Sequence, residues 1–492
     1  MIPQNTSRKK ARIRIKGGIS VSVPDNLHLL THYVLLEQED WFEDEIKFMR
    51  LLLKPGMNVI DVGANYGVYA LTAAKIIGAN GKLWAFEPSS ATAAFLKESM
   101  ELNHADNLTL MQAGLSDRGG QAKMMLHENA EENFVSQDIS ESGDHEAIEL
   151  LTLDECAARF DWSNIDFIKM DAEGHESNII RGGKAFLKAH SPLIMFEIKA
   201  GEKLNVELVE EFATLGYSSY KLIPGMNVLV PFDKNKKIDA YQLNLFCCKP
   251  DRAETLRQAG FLVREPCQDV KYAGQGSDWI KYLRKFPYAA QLLPHWHGWC
   301  EVNRTAGGWG AYQEALNCYA ASRKADITVT ERFGYLERSY QLLSGLIEAQ
   351  PSFSRLVSFV RIASEVGERM VAVNILKFVL KGIKPDTSDI AEPFLPVSPG
   401  YDVIDPGENM GNWIAAAIIE QWEKLHAFSS YFTGTASLSM LETLKKSGLQ
   451  SAEMERRRQL IRMRAGLQRA PEPNQLLSRE MPDNLNMDFW TV

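Results

Sequence analysis

A chain of 492 residues is too long for one hydrophobic core, so we expect two or three domains. Its composition, 45% apolar and 24% charged, is ordinary for a soluble globular protein, and a formal charge of -9 argues against nucleic acid as the main partner. Six cysteines without a C-x-x-C pair, and no run near the ~20 apolar residues that span a bilayer, predict a cytoplasmic protein with no integral membrane segment.

Residues 1–55 form a lead-in segment that comes before any strand–helix alternation. Its apolar residues have the spacing of a helix that packs on the next domain: Trp41, Phe42, Ile46, Met49 and Leu53. Tyr33, Glu37 and Gln38 could close over a cofactor as a lid. The alternative for these polar residues is a solvated helix face.

Residues 56–250 alternate between short apolar runs and amphipathic stretches. The predicted strands are 58–62, 83–87, 108–113, 166–170, 193–198, 218–223 and 241–249, and the predicted helices lie near 67–78, 90–104, 175–190 and 204–215. Such alternation predicts an α/β domain with a mostly parallel sheet covered on both faces, and the last two strands could pair antiparallel at its edge. Ligands bind beyond the carboxyl ends of such strands.

The first strand ends at "DVGANYG". Gly63 allows a sharp turn and a close approach to the backbone, and Gly67 begins a helix whose free N–H groups could hold an anion. Asp61 would repel a pyrophosphate but attract an ammonium or sulfonium group. The spacing is D-x-G-x-x-x-G and not the dinucleotide fingerprint G-x-G-x-x-G. A tight turn without a ligand is the alternative.

The next two strand ends complete a cofactor pattern. Glu87, at the end of "WAFEP", could accept hydrogen bonds from both ribose hydroxyls, although a solvated carboxylate is the alternative. The third strand ends at "MQAGLSD", where small and polar residues could border an adenine ring or form a plain turn: Ala113, Gly114, Leu115, Ser116 and Asp117. Together the three strand ends suit S-adenosylmethionine (SAM) better than NAD.

The fourth strand carries the densest signal, "DFIKMDAEGHES". Lys169 and Asp171 alternate with apolar residues, and Glu173 and His175 follow in the turn. Methyl transfer from a sulfonium depends on positioning, and a hydroxyl acceptor needs a base, for which Asp171, Glu173 and His175 are candidates. Carboxylates that only cap the next helix are the alternative. Glu197 of the fifth strand could reach the same cleft, where a divalent metal is an option but not a requirement.

These segments resemble the FkbM family of SAM-dependent methyltransferases over residues 20–250. The resemblance rests on motifs that occur in order: "GMNVIDVGANYGVYAL", "FEPSSATAAFLKESMELN", "LMQAGLSDRGG", "LTLDEC", "IDFIKMDAEGHESNIIRGG" and "PLIMFEI". It implies a class I methyltransferase fold, which is Rossmann-like with a seven-stranded, mostly parallel sheet. It also implies O-methylation of sugar or polyketide hydroxyls.

The resemblance assigns roles to individual positions. The methionine end of SAM would lie against Asp61, Gly63, Asn65 and Gly67, and the ribose against Glu87. Ala64 in the same turn, and Gly114, Leu115 and Ser116 at the adenine rim read from the third strand end, complete the predicted cofactor contacts. The K-x-D-x-E-G motif of the family stands here as Lys169, Asp171, Glu173 and Gly174. His175 occupies a position where the family often has a small residue.

Residues 251–467 show helical periods, with a tail at 468–492 in which Phe489 and Trp490 could dock. The spacing Gly310 to Ala315 and Gly367 to Ala372 suggests tetratricopeptide-like hairpins, and a plain helical bundle is the alternative. The basic stretch "ERRRQLIRMR" is interpreted as a solvated helix face.

One segment of the helical half, "HWHGWC", offers three zinc ligand types. They are His295, His297 and Cys300, and no fourth ligand is evident nearby. The aromatic neighbours favour a packed corner over a metal site.

The sequence therefore predicts a SAM-dependent O-methyltransferase that acts on a saccharide or glycan hydroxyl. The helical half would hold a long acceptor or a protein partner. Two alternatives remain open at this point. One is a nucleotide-sugar or NAD-dependent Rossmann enzyme, and the other is a helical adaptor with a methyltransferase-like domain that does not catalyse.

Overall fold

The structure is a computed structural model of the whole chain. It describes residues 9–136, 144–200, 203–266, 270–272, 274, 276–303, 307–382, 390–477 and 486–490. Within these residues, no helix combines the length and the apolar character that crossing a membrane requires. The predicted domain boundaries at residues 55, 250 and 467 stay a prediction. Contacts between elements cross each of these positions.

The N-terminal segment forms a hairpin and two helices, namely β1 (Lys10–Ile15), β2 (Ile19–Pro24), α1 (Leu30–Gln38) and α2 (Asp44–Leu52). The backbone of β2 is held on the sheet domain by Ser99 Oγ, which accepts from Ser22 N at 2.8 Å. Helix α2 buries Ile46 and Met49 against the sheet, as the apolar spacing predicted. It begins only at Asp44, so Trp41 and Phe42 precede it rather than forming part of it.

Strands and helices then alternate as predicted. The elements are β3 (Asn58–Val62), α3 (Val68–Ile77), β4 (Lys82–Phe86), α4 (Ser90–Asn103), β5 (Leu108–Met111), β6 (Gly114–Leu115), β7 (Gly120–Met125), β8 (Phe134–Ser136), β9 (His145–Leu151), α5 (Leu153–Arg159), β10 (Phe167–Met170), α6 (Glu176–Gly182), α7 (Lys184–Ala189), β11 (Leu193–Glu197), β12 (Lys199–Ala200), β13 (Lys203–Leu204), α8 (Glu207–Thr214), β14 (Ser218–Ile223), β15 (Val228–Pro231) and β16 (Asn244–Cys248).

The main sheet has the order β15-β14-β16-β11-β10-β3-β4-β5. The five strands from β11 to β5 are parallel, and β16 is antiparallel to both of its neighbours. This confirms the α/β class I architecture and the predicted antiparallel pairing at one edge. The sheet has eight strands rather than seven. The extra strand, β15, is only four residues long and lies between turn residues, so its pattern was too short to predict.

A second sheet, of order β6-β9-β7-β8, stands beside the third strand end of the main sheet. Gly114 and Leu115 of β6 pair with Leu150 and Leu151 of β9. Two of the residues that were predicted to border an adenine ring are thus fixed by a strand pair.

The regular elements in the described part of the second half are helices, which confirms the helical prediction. They are α9 (Pro250–Gln258), α10 (Asp278–Leu283), α11 (Pro287–Val302), α12 (Trp309–Ser322), α13 (Val329–Ala349), α14 (Phe353–Glu365), α15 (Arg369–Gly382), α16 (Met410–Leu425), α17 (Ser430–Thr433), α18 (Leu438–Ser447), α19 (Ala452–Arg464) and α20 (Met487–Trp490). Consecutive helices pack in pairs, α12 on α13 and α14 on α15. Gly310 lies inside α12 but Gly367 lies in a turn with φ 83°, so the two glycines are not equivalent. A repeat therefore stays a prediction.

The helical half docks on the turn between β14 and β15. Gly225 N donates to Glu365 O at 2.9 Å, and Arg323 Nη1 donates to Gly225 O at 2.9 Å. A Cβ at Gly225 would lie 2.4 Å from the Glu365 Cβ, so a side chain there would separate the two parts. Trp490 of the tail is 1% exposed and docks in the core of the sheet domain, as its aromatic character suggested.

The basic stretch of α19 is buried, and its interpretation as a solvated face is wrong. Arg456, Arg457 and Arg458 are each at most 4% exposed. Arg457 Nη2 lies 3.3 Å from Glu37 Oε1, and Glu37 is fully buried in α1. Charged residues from opposite ends of the chain thus neutralise each other in one interface, which local sequence patterns do not reveal.

Candidate functional site

A cavity of about 240 Å³ opens at the carboxyl ends of β3, β4, β10 and β11. Most of the predicted site residues line it: Gly63, Ala64, Asn65, Glu87, Gly114, Leu115, Lys169, Asp171, Glu173 and His175. Asp61, Gly67 and Ser116 were also predicted to contact the cofactor, but they are not part of the cavity wall. They support residues that are.

The glycine turn after β3 brings two strand ends together. Gly63 has φ 73°, and a Cβ there would lie 1.8 Å from the carbonyl oxygen of Asp171. Gly67 has φ 88°, and a Cβ there would meet Leu96 Cδ1 at 2.3 Å. Gly63 is thus required by its close approach to the backbone of Asp171, and Gly67 by its left-handed backbone conformation, because the Leu96 side chain could move aside. Neither requirement needs a ligand.

Replacing Gly63 by Ala should lower the free energy of unfolding by about 2–5 kcal/mol, the sum of a backbone clash and left-handed strain. Gly56→Ala is the matched control, since Gly56 has φ 86° but a Cβ at this position would meet no atom within 4 Å. It should lose only about 1–2 kcal/mol. Chemical denaturation of both variants measures the difference, and equal losses would contradict a close approach at Gly63.

Glu87 holds the same turn from β4. Its Oε2 accepts from Asn65 N at 2.9 Å, and its Oε1 accepts from Ser89 N at 2.9 Å. Burial raises the pKa of Glu87 to about 7. A carboxylate has about four acceptor positions, so two remain for hydroxyl groups of a ligand.

Lys169 joins the first and fourth strand ends. Its Nζ donates to Asp171 Oδ2 at 2.9 Å and lies 3.7 Å from Asp61 Oδ1. Burial acts to lower the pKa of Lys169, but the charges of Asp171 and Asp61 outweigh it and raise the pKa above its usual range. Burial raises the pKa of Asp61 to about 6, against the attraction of Lys169. The lysine therefore stays charged and fixes the Asp171 carboxylate at the cavity.

Three carboxyl groups converge at the other side of the cavity. Ligand atoms of Asp171, Glu173 and Glu197 all lie within 4.8 Å of one another. Burial, and then the charge of Asp171, raise the pKa of Glu173 to about 8 and that of Glu197 to about 11. At neutral pH, Glu197 is therefore protonated, and Glu173 is mostly protonated and ionises as the pH rises through about 8.

This is the one group of potential metal ligands of its kind within the residues that the structure describes. Its all-oxygen chemistry would fit a hard divalent cation. Metal dependence stays a prediction. In α11, His295 and His297 are exposed whereas Trp296 is buried, and no zinc-type group forms there among the described residues.

The ring of His175 is held by hydrogen bonds to neighbouring side chains. Its Nε2 and Ser116 Oγ are 2.9 Å apart, and Asn178 Nδ2 lies 3.0 Å from its Nδ1. Burial lowers the pKa of His175, which favours the neutral ring. These contacts link the turn after β10 to the end of β6, so His175 positions the turn.

The N-terminal segment covers the cavity with residues other than those predicted. Tyr33, Glu37 and Gln38 do not line it, whereas a neighbouring set does: Leu30, Thr31, Trp41, Phe42 and Glu43. Tyr69 OH donates to Glu43 Oε2 at 2.5 Å. The acid-rich run "EQEDWFEDE" was a usable signal for Glu43.

A second set of residues that the sequence did not predict at the cavity comes from the segment before β8. Thr31 Oγ1 donates to Glu131, whose pKa burial raises to about 7, and Leu30 N donates to Asn129 Oδ1 at 3.0 Å. Together the two segments form a strap over the cavity. The approach of chain segments about 100 residues apart leaves no local pattern in the sequence.

A family model described as the methyltransferase FkbM domain matches residues 61–219. The 2-O-methyltransferase NoeI of Sinorhizobium fredii is 28% identical over 158 residues, which is 29% of this chain and 63% of that protein. This chain thus spans less than two thirds of that relative. The match at residues 61–219 confirms the resemblance to the FkbM methyltransferases that the sequence motifs predicted.

Two solved structures show a limited similarity to this chain. A methyltransferase FkbM from Methylobacillus flagellatus has a TM-score of 0.29 at 15% identity, over 40% of this chain and 45% of that chain. A SAM-dependent O-methyltransferase from Thermotoga maritima has a TM-score of 0.24 at 14% identity, over 47% and 73% of the two chains. Scores this low carry no argument about function.

Proposed function

We propose that the FkbM methyltransferase domain transfers a methyl group from SAM to a hydroxyl group of a saccharide or glycan precursor. The observation that carries this proposal is a single cavity that holds the glycine turn and Glu87 on one side and Asp171, Glu173 and Glu197 on the other. The family match supports methyl transfer, and similarity to a protein named a 2-O-methyltransferase supports oxygen as the acceptor atom.

The residues present fit SAM. When bound, it would supply an electrophilic methyl group on a sulfonium. Glu87 would accept the ribose hydroxyls with the acceptor positions left by Asn65 and Ser89. The rim at Gly114 and Leu115 would border the adenine.

Glu173 is the general base in this proposal. Asp171 is engaged with Lys169 at 2.9 Å, whereas Glu173 has a pKa raised to about 8, close to the pH at which an enzyme works. Glu173 takes the proton of the acceptor hydroxyl. Glu197, protonated at neutral pH, donates a hydrogen bond to a neighbouring acceptor oxygen.

Calorimetry with purified protein tests the cofactor. SAM and its demethylated product should bind, whereas NAD and UDP-sugars should not. The carboxyl groups at and behind the cavity have raised pKa values, about 6 for Asp61, 7 for Glu87 and 8 for Glu173. They ionise as the pH rises from 5 to 9, which favours the sulfonium cation over the neutral thioether of the product. The ratio of the two affinities should therefore rise about tenfold over this range.

A ratio that stays constant, or no affinity for either compound, would contradict a sulfonium ligand among these carboxyl groups. Transfer of a labelled methyl group to hydroxylated glycans tests catalysis. If SAM binds but no glycan pool is labelled, the non-catalytic adaptor becomes the better interpretation. Addition of a chelator during this assay tests whether a divalent metal takes part.

A further inference from the structure

A second cavity, of about 100 Å³, lies between the sheet domain and the helical half. Phe42, Glu43 and Leu243 line both this cavity and the first one, so the two cavities are adjacent. The far wall is built by the end of α14, the start of α15 and the segment after α16, with Ser364, Arg369 and Phe428. A long acceptor that is bound in the first cavity and extends past Phe42, Glu43 and Leu243 would meet the helical half.

A buried carboxyl group faces the second cavity. Glu45 is 9% exposed, and its carboxyl accepts a hydrogen bond from its own backbone N–H but has no side-chain partner among the described residues. Burial, together with the charges of Glu43 and Asp44, raises the pKa of Glu45 to about 8. The carboxyl is therefore mostly protonated at neutral pH and keeps an O–H without an acceptor, which a hydroxyl ligand would satisfy.

On the opposite wall of the second cavity, Arg369 offers hydrogen-bond donors. Its Nε donates to Leu425 O at 2.8 Å and its Nη2 to Lys424 O at 3.1 Å, while Nη1 has no acceptor among the described residues. Its guanidinium carbon lies 4.5 Å from the ring centre of Tyr241 and 4.4 Å from that of Phe428. The cavity therefore offers one carboxyl group with unused hydrogen-bonding capacity, one free guanidinium donor and an aromatic wall.

The charge around the second cavity selects the class of ligand. Four acidic residues line it, Glu43, Asp44, Glu45 and Asp239, against the single cation Arg369. Even with Glu45 protonated at neutral pH, the acidic residues outnumber the cation. An anionic ligand such as a phosphate would be repelled. A neutral sugar can donate to the carboxyl groups, accept from the guanidinium and place its C–H face on an aromatic ring.

We propose that the second cavity binds a neutral sugar adjacent to the one that is methylated, so that the helical half selects oligosaccharides over free monosaccharides. This inference rests on the proposed function of the first cavity. It gives the helical half a part in acceptor recognition.

The test is the binding of a matched series of neutral monosaccharides and oligosaccharides, and of their sulfated or carboxylated forms, on a glycan array. The protein is saturated with the demethylated cofactor product. The best neutral oligosaccharide should bind at least about tenfold tighter than its own terminal monosaccharide. Glu45→Leu removes the polar group at similar volume, and Ser364→Phe fills the cavity from the helical side. Each should remove most of this difference.

Glu207→Leu is the matched control, because Glu207 is exposed on α8 and lines neither cavity. Calorimetry with the demethylated product, run on every variant, shows that the fold and the first cavity are intact. Equal binding of oligosaccharides and monosaccharides, preference for anionic glycans, or an unchanged difference in the two variants would overturn the inference while the proposed function stands. If the wild-type protein binds neither SAM nor its demethylated product, the proposed function itself is overturned.

Discussion

Replacing Glu173 by Gln should lower kcat for methyl transfer about 10²–10⁴-fold, the usual contribution of a general base, with little change in the affinity for SAM. Gln has nearly the same shape and can accept a hydrogen bond, but it cannot take the proton of the acceptor hydroxyl. A radiolabel assay with a glycan acceptor measures kcat, and calorimetry measures the affinity. The separation of the two readouts distinguishes a lost base from a damaged cavity.

The pH profile gives a second signature of the same residue. Burial and the charge of Asp171 raise the pKa of Glu173 to about 8, and a base acts only in its ionised form. Activity of the wild-type protein should therefore rise with pH through about 8, and the residual activity of Glu173→Gln should lack this rise. Asp171→Asn is the comparison variant. If it abolishes the pH dependence and Glu173→Gln keeps it, then Asp171 is the base.

The sequence predicted the site where its chemistry follows from strand ends. In a parallel sheet the carboxyl ends of neighbouring strands share one edge, so Glu87 of one strand and Asp171 of another could be placed together without a structure. In the structure Glu87 and Asp171 line the same cavity, and Lys169 stands directly opposite Asp61 in the paired strands. Hydrophobic runs of four or more residues located the strands that carry these groups.

The parts that the sequence did not predict depend on long-range contacts. Glu43 and Glu131 reach the cavity from segments outside the alternation, and their pairing with Tyr69 and Thr31 follows only from the folded chain. The second cavity, likewise, exists only where Glu45 meets the helical half. Local patterns report periodicity and turns, whereas these contacts depend on how separate segments pack.

Charge in the sequence was the most misleading signal. A stretch with three consecutive arginines is normally a solvated face, because an unpaired buried charge is very unfavourable. Here α19 is buried because each arginine has acidic partners: Glu39 for Arg456, Glu37 and Glu453 for Arg457, and Glu455 and Glu442 for Arg458. The partners in α1 and beside it lie more than 400 positions earlier, so the neutralisation is invisible to any local window.

Arg457→Met should lower the free energy of unfolding by about 3–5 kcal/mol, because removing one partner leaves an uncompensated buried charge. Arg457 is 2% exposed, its Nη1 donates to Glu423 O at 2.5 Å, and its Nη2 lies 3.3 Å from the fully buried Glu37. Met keeps the apolar length of the side chain but supplies no charge and no donor. The midpoint and slope of chemical denaturation measure the loss.

A control on the same helix separates burial from charge. Arg462 is 30% exposed and lies 3.6 Å from Glu442, so Arg462→Met should lose less than about 1 kcal/mol. In the double variant Glu37→Gln and Arg457→Met, the buried carboxylate is also neutralised, and the loss should be clearly smaller than the sum of the two single losses. Equal effects at Arg457 and Arg462, or strictly additive losses at Glu37 and Arg457, would mean that the pair does not hold α19 on α1. Since α1 leads directly into the residues that cover the cavity, weaker docking of α19 should also reduce the affinity for SAM.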